Sequence, residues 1–459
     1  MESDSVIYIR AKAYVQVAME LLAGQFQKSE AQRVTGPGEW KRDSESTFRL
    51  RDFELPYWRN AIIFREKTLH ALAEYKLFVQ AMQVYPIFAR YFGTLVGTKR
   101  GGRGFRVEDI ADHLLWAMAQ KMGGLNFDPD EFDQLYKEFD ADIRRDDVEY
   151  VAVAPIVGFK SEVFPISLDS DFEIDRLTDE EIIRCLRLSV YPGIDLGGII
   201  HITNPCGVRH RFRENKLFGD ISSERGVLQA EQEFIVSRVL DVAHCLRLFK
   251  SGRVAIPSLV SFATHWPLNG GTSSVGIEPP SARGEFVLSA EEGKAFAQFW
   301  PKFINARQTS FVDAAIRRFG YAGERFRPQD RLVDFMICAE SLFLSDVGES
   351  KERGEMRFRL SLRFGLFAEI EGYSRVDAFR LMRSAYDSRS AIVHGGSVEE
   401  SDLKLPSIGT VALMKFVEAV EEALRSALHK AIELEPFAKN KLVDWDALAL
   451  GQSQRTHGA

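Results

Sequence analysis

Two residues near position 390 have side chains that could act together on a phosphate group. Arg389 and His394 are separated by four residues. An imidazole titrates near pH ~6.5 and can serve as a general acid or base. A guanidinium stays charged, and its forked donors fit phosphate oxygens. The pair therefore predicts a site that transfers a proton and stabilises negative charge on phosphorus.

The spacing of this pair is not rare in the chain. Three other pairs also place four to six residues between an arginine and a histidine: Arg65/His70, Arg106/His113 and Arg238/His244. Nothing else in their surroundings forms a recognisable pattern, so we interpret them as surface arginines and hydrogen-bonded histidines. The surrounding sequence must distinguish the functional pair from the others.

The sequence around Arg389 contains more of a pattern. Residues 386–395 read Tyr-Asp-Ser-Arg-Ser-Ala-Ile-Val-His-Gly. This segment resembles the R-x(4–6)-H signature of HEPN ribonucleases, in the form found in the Apea-like branch. Residues 331–343 resemble the first core helix of that family and residues 357–365 the second. The amphipathic segment 411–434 follows in the family's order.

The resemblance implies a metal-independent endoribonuclease that needs no cofactor, with Arg389 and His394 as its catalytic residues. RNA carries its own nucleophile, the 2′-hydroxyl, next to each phosphate, so cleavage needs only proton transfer and charge stabilisation. Arg389 would stabilise charge on the phosphate, and His394 would transfer the proton. The expected products are a 2′,3′-cyclic phosphate and a 5′-hydroxyl, and DNA should not be cleaved.

Helix geometry restricts how the pair can meet. Positions five apart on a regular helix point about 140° away from each other. Gly395-Gly396 predicts a helix end that would release His394 from this constraint. In the family, two HEPN domains also pack about a two-fold axis and pool both pairs. The resemblance therefore implies a homodimer through the C-terminal domain.

Four further residues are predicted to support the site. Glu340 lies among apolar residues, so it should be buried or nearly so and should need a partner, either Arg363 or Arg389. We favour a structural ion pair over a group that orients the catalytic arginine. Ser390 would donate a hydrogen bond to phosphate or satisfy the local backbone. Tyr386 belongs to the signature itself.

A local excess of positive charge precedes the site. Eight arginines and five acids lie between Arg353 and Arg389, although the whole chain is acidic. Arg357, Arg359 and Arg383 are therefore candidate RNA-binding residues, with solvated helix faces as the alternative interpretation.

Three other clusters do not indicate a site. Lys99–Arg103 is basic and glycine-rich but lacks the Gly-Lys-Ser/Thr ending of a P-loop. His201, Cys206 and His210 fit no zinc spacing, and the neighbouring arginines would repel a cation. The sequence predicts no metal site. The run Arg209–Arg213 is interpreted as an exposed basic hairpin, with a hairpin that faces RNA as the less favoured alternative.

Composition restricts the class of protein. The net charge is −7 and the pI about 5.8, which argues against a broad, sequence-independent nucleic-acid binder. The four cysteines are widely spaced, as in reduced intracellular proteins. The acidic start of the sequence does not resemble a signal peptide, and no apolar run is long enough to cross a membrane. We expect a cytoplasmic protein without membrane contact.

The chain is predicted to be α+β, with mixed α/β N-terminal and middle regions followed by a C-terminal all-α HEPN bundle. Its predicted parts are a mostly helical region 1–147, an α+β recognition or sensor region 148–288, a HEPN-like helical domain 289–440 and a polar tail 441–459.

Local patterns predict individual elements. An apolar stretch in 6–30 would begin as a strand and continue as a helix. Segments rich in Val, Ile and Phe predict strands at 148–159, 163–168 and 172–177, and a hairpin of 197–203 with 208–212. Predicted helices after Ser289 span 290–305, 309–319, 329–345, 353–371, 375–393 and 409–434.

The resemblance also implies a biological role. Related domains cut tRNA or other RNA in bacterial antiviral defence by abortive infection, or in toxin systems, after a phage or cellular trigger. The α+β region would recognise that trigger or the RNA. The alternative is a non-catalytic HEPN module that binds nucleotides, RNA or a partner. A partner of a nucleotidyl-transfer toxin fits poorly, because such HEPN proteins are usually small.

Overall fold

The structure is a computed structural model of the chain. It describes residues 2–25, 35–54, 57–89, 95–97, 105–106, 110–187, 199–215, 217–218, 225–264, 273–277, 285–347, 355–406, 408–434 and 443–451. Helices and mostly antiparallel sheets both contribute, which confirms the α+β class. Across these ranges no helix has the length and apolar character that crossing a bilayer requires.

The N-terminal elements build a helical core beside two small sheets. They are α1 (Glu2–Gln25), β1 (Thr35–Ser44), β2 (Thr47–Glu54), α2 (Tyr57–Ala71), α3 (Ala73–Val84), α4 (Pro86–Ala89), β3 (Leu95–Gly97), β4 (Phe105–Arg106), α5 (Ile110–Met122) and α6 (Pro129–Arg144). Tyr14, Phe78, Leu114 and Phe132 are fully buried where α1, α3, α5 and α6 meet.

One expectation for this region is wrong. Residues 6–30 do not begin as a strand, because α1 is helical from Glu2, and its buried Ile7, Ala11 and Leu22 follow helical spacing. The region 1–147 also contains the antiparallel pair β1–β2. The charged residues of β1 hide the alternation of apolar and polar residues that would reveal a strand.

The middle region contains a six-stranded sheet of order β13-β12-β5-β10-β8-β7, in which neighbouring strands are antiparallel. Its elements are β5 (Asp147–Pro155), β6 (Phe159–Ser161), β7 (Ile166–Ser167), β8 (Phe172–Arg176), α7 (Asp179–Arg187), β9 (Ile199–His201), β10 (Cys206–Asn215), β11 (Leu217–Phe218), α8 (Arg225–Phe249), β12 (Ser258–Ala263), β13 (Ser273–Gly276) and β14 (Phe286–Leu288). Both faces of β5 are buried, since Ala152 and Ala154 join the main core and Val151 and Val153 pack on the other side.

The predicted hairpin of 197–203 with 208–212 is wrong. Strand β9 pairs with β2, where Ile200 lies opposite Phe48, whereas β10 pairs with β5 and β8. Ile200 and Phe48 are both buried. Strands β9 and β10 are neighbours in the sequence, but each pairs with a longer or more buried strand from elsewhere in the chain. The residues of the turn between β9 and β10 do not indicate such partners.

Arg209 also contradicts the predicted exposed basic hairpin. It is buried in β10, and its guanidinium donates to Glu181 at 2.9 and 3.0 Å, to Asp175 at 2.5 Å and to Glu173 at 3.0 Å. His210 is buried as well. The three carboxylates come from β8 and α7, so only the folded sheet reveals that this arginine is a structural cation.

The C-terminal region is mainly helical, but a short antiparallel strand pair, Lys404–Leu405 with Gly409–Thr410, corrects the prediction of an all-α region. Its elements are α9 (Ala290–Ala306), α10 (Ser310–Glu324), α11 (Pro328–Phe343), α12 (Met356–Phe367), α13 (Arg375–Val393), β15 (Lys404–Leu405), β16 (Gly409–Thr410), α14 (Leu413–Glu433) and α15 (Trp445–Ala449). The helices predicted at 290–305, 329–345 and 375–393 are confirmed to within two residues at each end. Their apolar stripes were regular enough to define them.

The middle and C-terminal regions share one core. Helix α8 packs against α9, α10 and α14, and the main cluster contains buried residues on both sides of position 289, including Val242, Leu246, Phe296 and Leu424. The helical bundle therefore does not bury its apolar surface without α8.

The tail predicted as polar from residue 441 contains a packed element. Val443 and Trp445 are buried, and the Trp445 ring lies 5.7 Å from that of Phe343 and 6.0 Å from that of Phe367. Residues 452–459 lie outside the described residues. The segment is polar on average, so its composition did not reveal that its apolar residues Val443 and Trp445 are buried, with Trp445 packed on α11 and α12.

Trp445→Ala should destabilise the C-terminal bundle. Removing a buried indole leaves a cavity beside two phenylalanines and costs about 3 kcal/mol. Thermal unfolding should show a lower melting temperature, while Leu450→Ala, at a residue 80% exposed, should leave it unchanged. Equal melting of Trp445→Ala and wild type would show that α15 contributes nothing to stability.

Candidate active site

Helix α13 positions the arginine of the R-x4-H motif. Its N-terminus has a capping box, in which the Ser374 hydroxyl accepts from the Asp377 N–H at 3.2 Å and the Asp377 carboxylate accepts from the Ser374 N–H at 3.1 Å. Leu381 and Ala385 are buried on the face that packs against α11 and α12. Arg389 lies one turn after Ala385 and continues this face.

The histidine lies where α13 ends. His394 is the C-cap residue and Gly395 follows with φ +77°. The Gly396 N–H donates to the Ala391 carbonyl at 2.8 Å and the Gly395 N–H to the Ile392 carbonyl at 3.1 Å. This is a Schellman motif, and it confirms the predicted helix end at Gly395.

The two motif residues have different environments. The Arg389 side chain is 26% exposed, and its Nη2 lies 3.8 Å from Glu340 Oε2. Its Nε is buried without a hydrogen-bond partner among the described residues. His394 is exposed, and its imidazole forms no hydrogen bond or ion pair within the described part of the chain. One group is therefore held by packing and the other is open to a ligand.

Glu340 contacts Arg389 and not Arg363. It was expected to be buried or nearly so, but its side chain is 26% exposed. Burial raises the pKa of the Glu340 carboxyl, and the Arg389 charge opposes that shift. Arg363 donates to the Phe343 carbonyl at 2.6 Å and to Asp346 at 2.6 Å. Arg363 thus satisfies the C-terminal end of α11 and does not reach the carboxylate of Glu340.

The remaining supporting residues lie on α13. Tyr386 is half-buried against the main core, and Ser390 is half-buried. The Ser390 carbonyl accepts the His394 N–H at 3.1 Å, so the backbone of Ser390 helps to fix the C-cap. Tyr386 is a packing residue in this geometry.

The candidate RNA-binding arginines do not gather around Arg389. Arg357 forms an ion pair with Asp387 at 2.7 Å, and Arg359 is half-buried. Arg383 is exposed and lines a cavity of about 510 Å³ beside α13, together with Arg380 and Lys404. Helical geometry places this cavity on the face of α13 opposite Arg389.

The cavity beside α13 was missed by the sequence analysis. Ser384, Asp387 and Ala391 line it as well, and with Arg380 they follow a spacing of three and four residues. From the sequence alone, that spacing could have indicated that these residues share one face of α13. Lys404 lies after the end of α13, so only the tertiary structure places it here.

The other arginine–histidine pairs have separate environments. His70 Nε2 lies 2.9 Å from Asp112, but His244 is buried and its ring nitrogens have no hydrogen-bond partner among the described residues, so the interpretation as a hydrogen-bonded histidine is wrong for His244. Arg106 is in β4, and the basic loop Lys99–Arg103 lies outside the described residues. Among the described residues, no three His, Cys, Asp or Glu side chains are grouped to hold a metal ion.

Comparison with known proteins gives no family assignment. No protein-family model, no curated protein and no solved structure matches the chain. The HEPN resemblance therefore remains a resemblance of motif and helix order.

Gly395→Ala should weaken the end of α13. A side chain at φ +77° is strained, at a cost of about 1 kcal/mol. Thermal unfolding should show a lower melting temperature for this variant. Gly24→Ala in α1 is the matched control, because an added Cβ there has nothing within 4 Å and alanine favours a helix. A fully stable Gly395→Ala would contradict the proposed role of the cap.

Glu340→Gln should change how stability depends on pH. Because burial raises the pKa of Glu340 in the folded state, the folded chain binds this proton more tightly than the unfolded chain. Binding of this proton stabilises the folded chain fully below the ordinary carboxyl pKa of 4.5. This stabilisation is lost as the pH rises through the raised pKa of Glu340. Glutamine should therefore be most favourable relative to wild type at pH 7, with an advantage that shrinks towards pH 4.5.

Glu181→Gln is the control, because its effect on stability at pH 7 should have the opposite sign to that of Glu340→Gln. Burial acts to raise the pKa of Glu181, but hydrogen bonds from Arg209 and Thr178 outweigh it and lower the pKa. This variant should be less stable than wild type at pH 7, and the deficit should fade in acid. Thermal melts across this pH range measure both differences. A Glu340→Gln difference that does not vary with pH would refute the account of that carboxyl.

Proposed function

We propose that the chain is a metal-independent endoribonuclease of the HEPN type, with Arg389 and His394 as its catalytic residues. The observation that carries the proposal is their placement. An arginine held against Glu340 leaves its buried Nε unpaired among the described residues, and an exposed histidine lies just past it at a helix end. A cation and a titratable group are the two requirements of RNA cleavage by its own 2′-hydroxyl.

The reaction needs two proton transfers. The 2′-oxygen attacks phosphorus as its proton is removed, and the 5′-oxygen leaves as it gains a proton. The products are a 2′,3′-cyclic phosphate and a 5′-hydroxyl. His394 serves one of these transfers, and Arg389 stabilises the negative charge that builds up on the phosphate oxygens.

A second copy of the chain would supply the other transfer. One chain contributes a single motif histidine, and a two-fold dimer through the C-terminal helices would bring two together. Val393, next to His394, is apolar and 53% exposed. This exposed apolar side chain supports an interface at this end of α13.

The remaining parts of the proposal concern the biological role. The substrate would be tRNA or another RNA of the cell, and the setting would be bacterial antiviral defence or a toxin system in the cytoplasm. The sheet region would sense a phage or cellular trigger. Support for these points comes from the motif resemblance. The hydrophobic core that the sheet region shares with α11 and α13 would link binding of a trigger at the sheet to the candidate site.

A non-catalytic binding module is the second candidate. The observation in its favour is that Arg389 already has a carboxylate partner, while the cavity beside α13 lies on the opposite face of the helix. A module of this kind would bind RNA, a nucleotide or a partner through Arg380, Arg383 and Lys404 without cutting.

Arg389→Ala and His394→Ala should each abolish RNA cleavage. General acid–base catalysis and electrostatic stabilisation by one donor each contribute ~100-fold or more, so the loss of either His394 or Arg389 should reduce the rate at least to that extent. The measurement is total tRNA incubated in EDTA, with analysis of the new ends. Wild type should leave 2′,3′-cyclic phosphates and should not cut DNA of the same sequence.

Two controls accompany this experiment. Arg375→Ala removes an exposed arginine from the first turn of α13, and His201→Ala removes an exposed histidine from β9; both should keep wild-type activity. Equal cleavage by wild type and both motif variants would eliminate the proposed residues. RNA binding without cleavage, lost in Arg383→Ala but kept in His394→Ala, would favour the binding module.

A further inference from the structure

Arg331, near the start of α11, is a buried cation with few partners. It is 1% exposed, and its guanidinium pairs with Glu421 on α14. The other oxygen of that carboxylate accepts from Arg425 at 2.9 Å, so two buried arginines share Glu421. Arg425 also pairs with the exposed Glu422, whereas Arg331 has no second carboxylate among the described residues. Its Nε is buried without a hydrogen-bond partner in the same part of the chain. A further acceptor beside this guanidinium would therefore stabilise it.

Met414 lies where such an acceptor would have to be. Its sulfur is 3.7 Å from Arg331 Nη1, and a thioether is only a weak acceptor. Helical spacing places Met414 on the same side of α14 as Glu421 and Arg425, the side that meets Arg331. Burial lowers the pKa of Arg331 despite the opposing charge of Glu421, although the guanidinium stays charged at pH 7. The sulfur thus faces a charge that burial has only partly compensated.

Met414 is also accessible to a small oxidant, since the residue is 43% exposed. Other methionines are fully buried in the core: Met19, Met82, Met118, Met336 and Met382. Met122 and Met356 are half-buried. Because exposure favours oxidation of a thioether, Met414 should react before these other methionines.

We propose that Met414 is a site of oxidation to methionine sulfoxide by hydrogen peroxide, and that the sulfoxide oxygen accepts a hydrogen bond from the Arg331 guanidinium. A lone pair of the sulfur attacks one oxygen of the peroxide, and the O–O bond breaks. The attacked oxygen stays on sulfur and loses its proton, which the departing hydroxide takes as it leaves as water. Sulfur is oxidised and the peroxide is reduced. Methionine sulfoxide reductases reverse the change.

The contact fits a sulfoxide oxygen with little movement. A guanidinium nitrogen lies ~2.8 Å from an oxygen to which it donates. An oxygen bonded to Met414 Sδ, at an angle to the line from Sδ to Arg331 Nη1, reaches that distance while the two atoms stay 3.7 Å apart.

The expected consequence is unusual for this modification. Methionine oxidation commonly disrupts packing, because it makes an apolar side chain polar. Here the polar product meets a buried cation, so oxidation should stabilise the contact between α11 and α14. The proposal does not rest on ribonuclease activity, because it concerns only the joint between these two helices.

The test begins with brief exposure of the folded chain to hydrogen peroxide, followed by peptide mapping with mass spectrometry. Met414 should gain oxygen about tenfold faster than Met356, or more, because exposure governs the rate. The melting temperature should then rise by about 2 °C, the effect of a hydrogen bond to a charged group in a chain of this size. A methionine sulfoxide reductase should restore the original mass and melting temperature. Oxidation of Met356 before Met414, or a melting temperature that does not rise once Met414 is oxidised, overturns the proposal.

Met414→Gln provides an acceptor without oxidation. Its side-chain carbonyl oxygen is bonded to the atom that replaces Sδ, as the sulfoxide oxygen would be. Met414→Leu is the matched control, because leucine is of similar size, also favours a helix and accepts no hydrogen bond. Met414→Gln should melt about 2 °C above Met414→Leu, and peroxide should raise the melting temperature of neither. Equal melting of the two variants would show that Arg331 gains nothing from an acceptor at this position.

Arg331→Met identifies the donor. It replaces the cation with an apolar chain of similar length, a change that buried ion pairs often tolerate, and Arg425 remains as the partner of Glu421. In this background Met414→Gln should lose its advantage over Met414→Leu. An undiminished advantage would mean that Arg331 is not the group that binds the acceptor. Met356→Leu, which leaves Met414 in place, should keep the wild-type rise in melting temperature after peroxide.

Discussion

The pairing of charges on α11 constrains much of the C-terminal region. This helix packs against α10, α12, α13 and α14, and it carries charged residues on the faces that these helices cover. Arg331 is 1% exposed and pairs with Glu421 on α14, while Asp334 is held by Arg325 at 2.8 Å. Glu340, near the other end, faces Arg389. A buried charge without its partner is strongly destabilising, so the pairs of Arg331 and Asp334 fix the positions of α14 and of the end of α10 relative to α11.

Two different kinds of interaction position the residues of the candidate site. Arg389 is positioned by side-chain packing, since it continues the buried face of α13 and meets a carboxylate on α11. His394 is positioned by backbone hydrogen bonds, since the Schellman motif ends the helix at that residue. Packing restricts the Arg389 side chain, which is 26% exposed, and ties it to the core that α8 shares with the bundle. The cap leaves the His394 side chain exposed, which is what the proposed proton transfer requires.

Several elements followed from the sequence and others did not. The helix 375–393, with its capping residue and terminal glycines, could be identified because its signals are local. The Val content of residues 148–159 predicted strand β5, but it did not predict the register in which β5 pairs with β10 and β12. The hairpin of β9 with β10 was wrong, and Arg209 was placed at the surface when it is buried among three carboxylates. In both cases the deciding partners come from distant parts of the chain, and nothing in the neighbouring residues identifies them.

By itself, the sequence determined the helices near 290–305, 329–345 and 375–393, the R-x4-H motif and the helix end beside His394. These features depend on side-chain types within one or two turns, where backbone geometry and capping decide the outcome. The tertiary structure alone decided that Glu340 meets Arg389 rather than Arg363, that the cavity with Arg383 lies on the opposite face of α13, and that the ring nitrogens of His244 are buried without a hydrogen-bond partner among the described residues. Such contacts form between elements far apart in the chain. Packing and the pairing of buried charges select among many arrangements that share the same local pattern.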